Sequence, residues 1–244
     1  MSEITRVALV TGASGGIGRA VARRLAAAGM AVGVHYAGNK AAAEETVAAV
    51  EAAGGRAIAV NGDVADEGAM ADAFSAVEEA FGGVDVVIHT AGVMTLGPVA
   101  AFDLDAFDRL MRTNVRGAFV VAQQAARRVR DGGAVVTFST SVTRLAFPDY
   151  APYAASKGAV EAMTLVLARE LRGRDITVNA VAPGPTATPL FLDGKDRQTV
   201  DRLAAQPPLE RLGTPEDIAE TVAFLAGPGR WVNGQVLYVN GGIA

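Results

Sequence analysis

Cysteine is absent from this chain of 244 residues, which removes disulfides, thiol nucleophiles and cysteine-ligated zinc together. Histidine occurs only as His35 and His89, too few for a histidine-rich metal site, so no metal is expected. Neither sign of charge dominates: 22 basic residues face 26 acidic ones, and a net charge of -4 argues against a general grip on nucleic acid. Long apolar runs are missing too. No stretch without Asp, Glu, Lys or Arg is longer than Val86 to Phe102, which carries His, Thr, Gly and Pro and does not read as a membrane span. The opening MSEITRVALVTG reaches a turn after one short apolar run, unlike a signal peptide, so a cytoplasmic protein is expected. What remains is ordinary globular composition, 50% hydrophobic and 20% charged, at a length that suits one α/β domain over residues 1–244. A chain of this size buries roughly three quarters of its unfolded surface without a covalent staple.

Short apolar runs alternate with helical stretches from end to end. Val7–Val10, Ala31–Val34, Arg56–Val60, Val84–His89, Ala134–Ser139, Ile176–Ala182 and Gln235–Val239 read as strands, several apolar almost throughout, as buried parallel strands are. A first helix with Ile17, Val21, Leu25 and Ala28 on one stripe ends at Gly29. Lys40–Ala53 and Ala69–Phe81 stop at glycine pairs, and Asp105 to about Arg130 and Tyr153 to Leu171 read as two longer helices. The alternation implies right-handed crossovers and an α/β, doubly wound parallel sheet of about seven strands flanked by helices on both faces. Pro183 to Pro208 breaks the rhythm. It leaves the carboxyl end of a strand, where such sheets bind ligands, and reads as a substrate loop or lid over about 183–208.

The first strand runs into Thr11-Gly12-Ala13-Ser14-Gly15-Gly16-Ile17-Gly18 and then a helix. Gly12 permits the tight turn, Gly16 lets backbone approach a pyrophosphate, and Gly18 lets the helix sit close to the sheet, with free helix N–H groups facing the anion. A site for NAD usually carries an acid about 20 residues on, to hold the ribose 2′-hydroxyl. Here Val34-His35-Tyr36-Ala37-Gly38-Asn39-Lys40 has no carboxylate, and Lys40 with Asn39 is placed to receive a 2′-phosphate. NADP(H) is therefore expected over NAD(H). Tyr153 and Lys157, at i and i+4, share a helical face, where an ammonium favours ionisation of a phenol that titrates near 10 in water.

With these motifs the chain resembles the short-chain dehydrogenase/reductase family over essentially its whole length. The resemblance rests on TGASGGIG (11–18), Gly62-Asp63-Val64, HTAG (89–92), Asn114, YAASK (153–157), VNAVAPG (178–184) and Val239-Asn240-Gly241-Gly242. It implies a Rossmann-like fold and hydride transfer between a nicotinamide and a carbonyl/alcohol pair of a small molecule, by a homotetramer or homodimer; charge and hydropathy leave no nucleic-acid or membrane partner expected. Tyr153 would be the general acid or base, Lys157 would lower its pKa and hold the nicotinamide ribose, and Asn114 would anchor a water leading to bulk solvent. Asp63 and Val64 would contact adenine, Ala91 and Gly92 the ribose, and Pro183, Gly184, Thr186 and Thr188 the nicotinamide and phosphates. Ser14, Ile17 and Tyr36 complete the expected cofactor contacts.

Two departures stand out. Thr90 occupies a position that is usually Asn, which puts local support of the neighbouring strands in question. The substrate-orienting serine is ambiguous: counting back from Tyr153 gives Thr140, local similarity favours Ser141, and the expected order is Ser141, Thr140, Ser139. Arg127, Arg128, Arg130, Arg172 and Arg174 are either contacts for an acidic carrier protein or solvated helix ends, the latter favoured. The leading expectation is an NADPH-dependent ketone reductase. The alternatives are a 3-oxoacyl-[acyl-carrier-protein] reductase, which the chain resembles in length and C-terminus, a sugar or secondary-alcohol dehydrogenase working oxidatively, and a catalytically silent dinucleotide sensor.

Overall fold

Seven strands pair in parallel in the order β3-β2-β1-β4-β5-β6-β7, and the computed structural model describes residues 6–244 of the chain. Residues 1–5, which carry part of the N-terminal reading, lie outside the described residues. In chain order the elements are β1 (Val7–Thr11), α1 (Gly16–Ala27), β2 (Ala31–Tyr36), α2 (Lys40–Ala52), β3 (Arg56–Asn61), α3 (Glu67–Phe81) and β4 (Val84–His89). Then come a short 3-10 turn (Val99–Ala101), α4 (Leu104–Met111), a π-helical turn (Arg112–Arg116), α5 (Gly117–Arg128), β5 (Val129–Phe138), α6 (Val142–Leu145) and α7 (Ala151–Glu170). β6 (Thr177–Pro183), α8 (Pro189–Leu192), α9 (Arg197–Ala204), α10 (Pro215–Ala226) and β7 (Val236–Val239) finish the chain.

The apolar strands are apolar because both faces are covered. Val10, Val32, Val34 and Ile88 pack with Val21, Leu25, Ile218 and Val222 of α1 and α10 on one side. On the other side Leu9, Val87 and Val135 pack with Phe74, Val77, Val121 and Leu167 of α3, α5 and α7. Gly33 is the narrow point of β2, since a Cβ there would stand 2.5 Å from Val77 Cγ2.

Three expectations change. The long fourth helix is not continuous: its α-helical hydrogen bonding gives way to the π turn around Asn114, and a 3.6-residue periodicity cannot show where one extra residue is looped in. β5 starts at Val129 rather than Ala134, because Gly132 and Gly133 let the chain absorb a register shift against β4 and continue as strand. Ala28, placed on the buried stripe of α1, lies exposed at the helix end, and Gly18 and Ala22 join Val21 and Leu25 as its buried residues. No helix among the described residues is long and apolar enough to cross a membrane.

Candidate active site

A parallel sheet puts all carboxyl ends on one edge, and there the glycine turn meets the ends of β4, β5 and β6. Gly12 has φ +68°, and a Cβ on it would stand 2.9 Å from both Ala91 N and Thr90 Oγ1. A Cβ on Gly18 would come within 2.3 Å of Gly12 O, so α1 can press against the turn only as glycine. The N-cap of α1 is Gly15, with no side-chain cap bond and no acidic residue in the first turn. Its N–H groups are therefore left to an anion, and the cradle fits a dinucleotide pyrophosphate. Thr188 lies across the turn, since a Cβ on Gly16 would reach its Cγ2 at 3.6 Å. The Thr90 hydroxyl donates to Thr11 O, and Ala91 N donates to Thr11 Oγ1 at 3.3 Å, so threonine here does tie β4 to β1. His89 sits beneath them with Nδ1 2.9 Å from Thr11 Oγ1.

Other expected cofactor residues are placed less simply. The Val64 side chain is core, packed where a Cβ on Gly117 would stand 2.7 Å away. Asp63 accepts from Ala65 N at 2.9 Å and from Arg112 Nη1 at 2.6 Å. Partial burial pushes its carboxyl up, yet those two partners hold it below the usual carboxylate range. Asn39 is the N-cap of α2, accepting from Ala42 N at 3.0 Å, and exposed Lys40 pairs with Glu44 at 3.3 Å. Tyr36 closes β2, half-buried beside them. Thr186 Oγ1 donates to Gly184 O at 2.9 Å, and Thr188 caps α8. Sequence reasoning missed Arg19, whose Nη2 donates to Ser14 O at 3.0 Å and Ala42 O at 3.3 Å, tying the glycine turn to α2.

Tyr153 and Lys157 lie on the first turns of α7, and both line one cleft of about 940 Å³, part of it open to solvent. Lys157 is buried, donates from Nζ to Phe138 O at 2.9 Å, and has its ammonium 5.8 Å from the centre of the Tyr153 ring. Burial pushes the Lys157 ammonium down to about 8. The phenol moves opposite to expectation. Burial pushes Tyr153 up to about 12, the Thr140 hydroxyl pulls it back, and Tyr150 adds to the rise. Asn114, buried at the π turn, accepts from Val93 N and donates to Val93 O, each at 2.9 Å, and donates to Ser156 Oγ at 3.0 Å. Its side-chain amide thus clamps the Val93 backbone. A Cβ on Gly92 would stand 3.2 Å from Asn114 Oδ1 and 3.4 Å from Lys157 Nζ, so glycine keeps that corner open.

The three candidate hydroxyls separate cleanly, because β5 ends at Phe138 and simple alternation stops there. Ser139 donates to Glu161 Oε1. Ser141, placed first from the sequence, accepts from Asn240 Nδ2 at 3.0 Å and donates to Ala182 O at 3.3 Å. Thr140 is the one that faces the phenol. Thr140→Ala is therefore expected to lower kcat about 100-fold at saturating cofactor, the order seen when a donor to a developing oxyanion is lost. Ser141→Ala is expected to show its effect in thermal melting instead, and the reverse pattern in the two assays would contradict this ordering.

The apolar and aromatic walls of the cleft are Met94, Leu145, Phe147, Tyr150, Leu190 and Phe191. Leu203 of α9 reaches in as well. The arginines weighed as a carrier contact are mostly committed: Arg127 pairs with Glu67, Arg128 with Glu78, Arg130 with Asp85 and Arg174 with Asp131.

A glycine cradle for a pyrophosphate beside a half-buried phenol and a buried ammonium is the site of a nicotinamide-dependent oxidoreductase. A family model described as Enoyl-(Acyl carrier protein) reductase matches residues 12–244. A short-chain type dehydrogenase/reductase of Picea abies is 45% identical, over 97% of this chain and 92% of its own length. An NADPH-dependent aldehyde reductase-like protein, chloroplastic, of Arabidopsis thaliana is 41% identical over 97% of this chain and 93% of its own length. Among solved structures, an angucycline C-6 ketoreductase, LanV, with bound NADP superposes with a TM-score of 0.93 at 36% identity, covering 99% of this chain and 96% of that one. The chain belongs to the short-chain dehydrogenase/reductase family, and it is an oxidoreductase that uses a nicotinamide dinucleotide to act on a carbonyl group of a small molecule.

Proposed function

We propose that the protein is an NADPH-dependent reductase of apolar ketones and aldehydes, with Tyr153 as proton donor. The observation that carries this reading is the half-buried Tyr153 beside the buried Lys157 in a cleft walled by apolar and aromatic side chains. Reduced nicotinamide, when bound, supplies the hydride. Tyr153 gives its proton to the carbonyl oxygen as that oxygen gains charge, and Thr140 donates a second hydrogen bond to it. Lys157 keeps positive charge beside the phenol, which stabilises the phenolate left behind. Asn114 acts by holding the Val93 backbone, and thereby Gly92, against the lysine.

The preference for NADPH rests on the lack of a carboxylate after β2 and on Lys40 and Arg19 near the glycine turn. The NADPH-dependent and NADP-bound relatives agree with it. Gly12, Gly16, Gly18, Ala91, Gly92, Pro183 and Gly184 would form the backbone cradle, with Asp63 and Val64 at the adenine end. Residues 183–208 serve as the lid, with Leu190, Phe191 and Leu203 inward and the charged Arg197, Asp201 and Arg202 outward. A homotetramer is the assembly we infer, because α5 and α7 leave Phe119, Leu165 and Val166 exposed on neighbouring helices and Trp231 is fully exposed near β7. Four of the five arginines weighed for the carrier-protein alternative pair with acids, which favours the small-molecule reading.

The test is initial-rate NADPH and NADH oxidation with tetralone, benzaldehyde and a short aliphatic ketone. NADPH is expected to exceed NADH about tenfold in kcat/KM, as one charge-assisted contact to a phosphate allows, and Lys40→Ala to narrow that gap. Tight cofactor binding with zero turnover across the panel would return the protein to the dinucleotide-sensor reading.

A further inference from the structure

A second phenol stands at the reaction centre. Tyr150 is the N-cap residue of α7 and precedes Tyr153 by three positions, so the two side chains leave the same side of the helix start. Both line the cleft with the catalytic hydroxyl Thr140. Burial alone pushes the Tyr150 phenol up, and no hydrogen bond ties its hydroxyl to another group among the described residues. The hydroxyl is thus unspent in a cleft that Met94, Leu145, Leu190 and Phe191 also line.

The backbone that presents it is strained. Ala146 and Asp149 both have positive φ, +50° and +68°, a region that non-glycine residues rarely occupy. This double reversal brackets Phe147 and Pro148 and sets the Phe147 ring edge-to-face with Tyr150, centroids 6.0 Å apart and planes at 62°. Gly97 N donates to Asp149 O at 2.9 Å, tying the corner to the loop after β4. Two rings at a fixed angle form a corner for a flat ring, and the free hydroxyl at its edge can read one oxygen.

We propose that Tyr150 is a specificity-determining residue that hydrogen-bonds a second oxygen of an aromatic ketone, a hydroxyl or carbonyl on the ring system that bears the reacting carbonyl. This deepens the reductase reading above and rests on it. A phenol can donate to a carbonyl or accept from a hydroxyl, so either oxygen type is served. An aromatic ketone without that oxygen leaves the Tyr150 hydroxyl unpaired in an apolar pocket, which disfavours it relative to the oxygenated one.

The experiment compares tetralone with a ring-hydroxylated tetralone as substrates of the full chain, by NADPH oxidation, in wild type, Tyr150→Phe and Phe147→Leu. Wild type is expected to prefer the hydroxylated ketone about tenfold in kcat/KM, as one neutral hydrogen bond allows. In Tyr150→Phe that ratio is expected to fall near one, whereas Phe147→Leu, which widens the corner but keeps the hydroxyl, retains it. A ratio that survives Tyr150→Phe, or no wild-type preference at all, overturns the proposal for Tyr150 while leaving the reductase reading intact. A wild type that consumes NADPH with neither ketone overturns both.

Discussion

Tyr153→Phe is expected to lower reductive kcat by about 100- to 10,000-fold, the usual contribution of a positioned general acid, while the Kd for NADPH changes less than about twofold. The phenol oxygen is the only atom removed, and it belongs to the proton-transfer end of the cleft rather than to the glycine cradle. The pH profile gives the same test from another side. Burial holds the phenol at about 12, so the donor stays protonated across the working range. Burial also lowers Lys157 to about 8, so the neighbouring positive charge is present below that pH and lost above it. Reductive kcat/KM in wild type is therefore expected to be flat near neutrality and to fall as pH rises past about 8. Near-normal turnover in Tyr153→Phe, measured by single-turnover NADPH oxidation, would remove this residue from the mechanism.

The second large effect concerns stability in acid. His35 and His89 are both buried, and burial pushes their rings down to about 4 and about 3, with the Lys157 charge adding to the shift at His89. Neither His35 ring nitrogen has a well-formed partner, and weak contacts with backbone at Gly62 and at its own position offset little of that burial. Each ring binds its proton more tightly in the unfolded chain, where it titrates near 6.5. Stability is thus complete above about pH 6.5 and is lost as pH falls toward the folded values. By pH 4 the two rings together cost on the order of 6 kcal/mol, comparable to the whole stability of many domains. Denaturant melts at pH 7, 5.5 and 4.5 are expected to show a steep decline. His35→Leu, which removes a titrating ring of similar volume and leaves no former partner unpaired, is expected to flatten that decline at little cost at pH 7. An unchanged acid midpoint in His35→Leu would show that the carboxylates, Asp63 and Asp217 among them, set the acid limit instead.

Much of this was legible in the residues, and the failures share a cause. The strands announced themselves because they are buried on both faces, so Val84–His89 reads the same in sequence and structure. The glycine turn was legible because Gly12 and Gly18 are required by contacts that leave no room for a Cβ. What stayed hidden depends on where one element stops. The order among Ser139, Thr140 and Ser141 turns on the end of β5 at Phe138, which no run of three hydroxyl residues can mark. The role of Arg19 was invisible because two of its three partners, Ser14 O and Ala42 O, are backbone carbonyls, which carry no sequence signature. The rise at Tyr153 stayed hidden because spacing shows which groups meet, whereas burial decides how they titrate.

The widened turn at Arg112–Arg116 puts α4 and α5 out of phase with one another. A helix kept in step from Leu104 to Arg128 would have to choose one azimuth for all its inward residues, Leu110, Asn114, Val120 and Val121 alike. The looped-out residue lifts that choice, so the amide that clamps Val93 and the aliphatic side chains that seal the sheet can each vary without turning the other away.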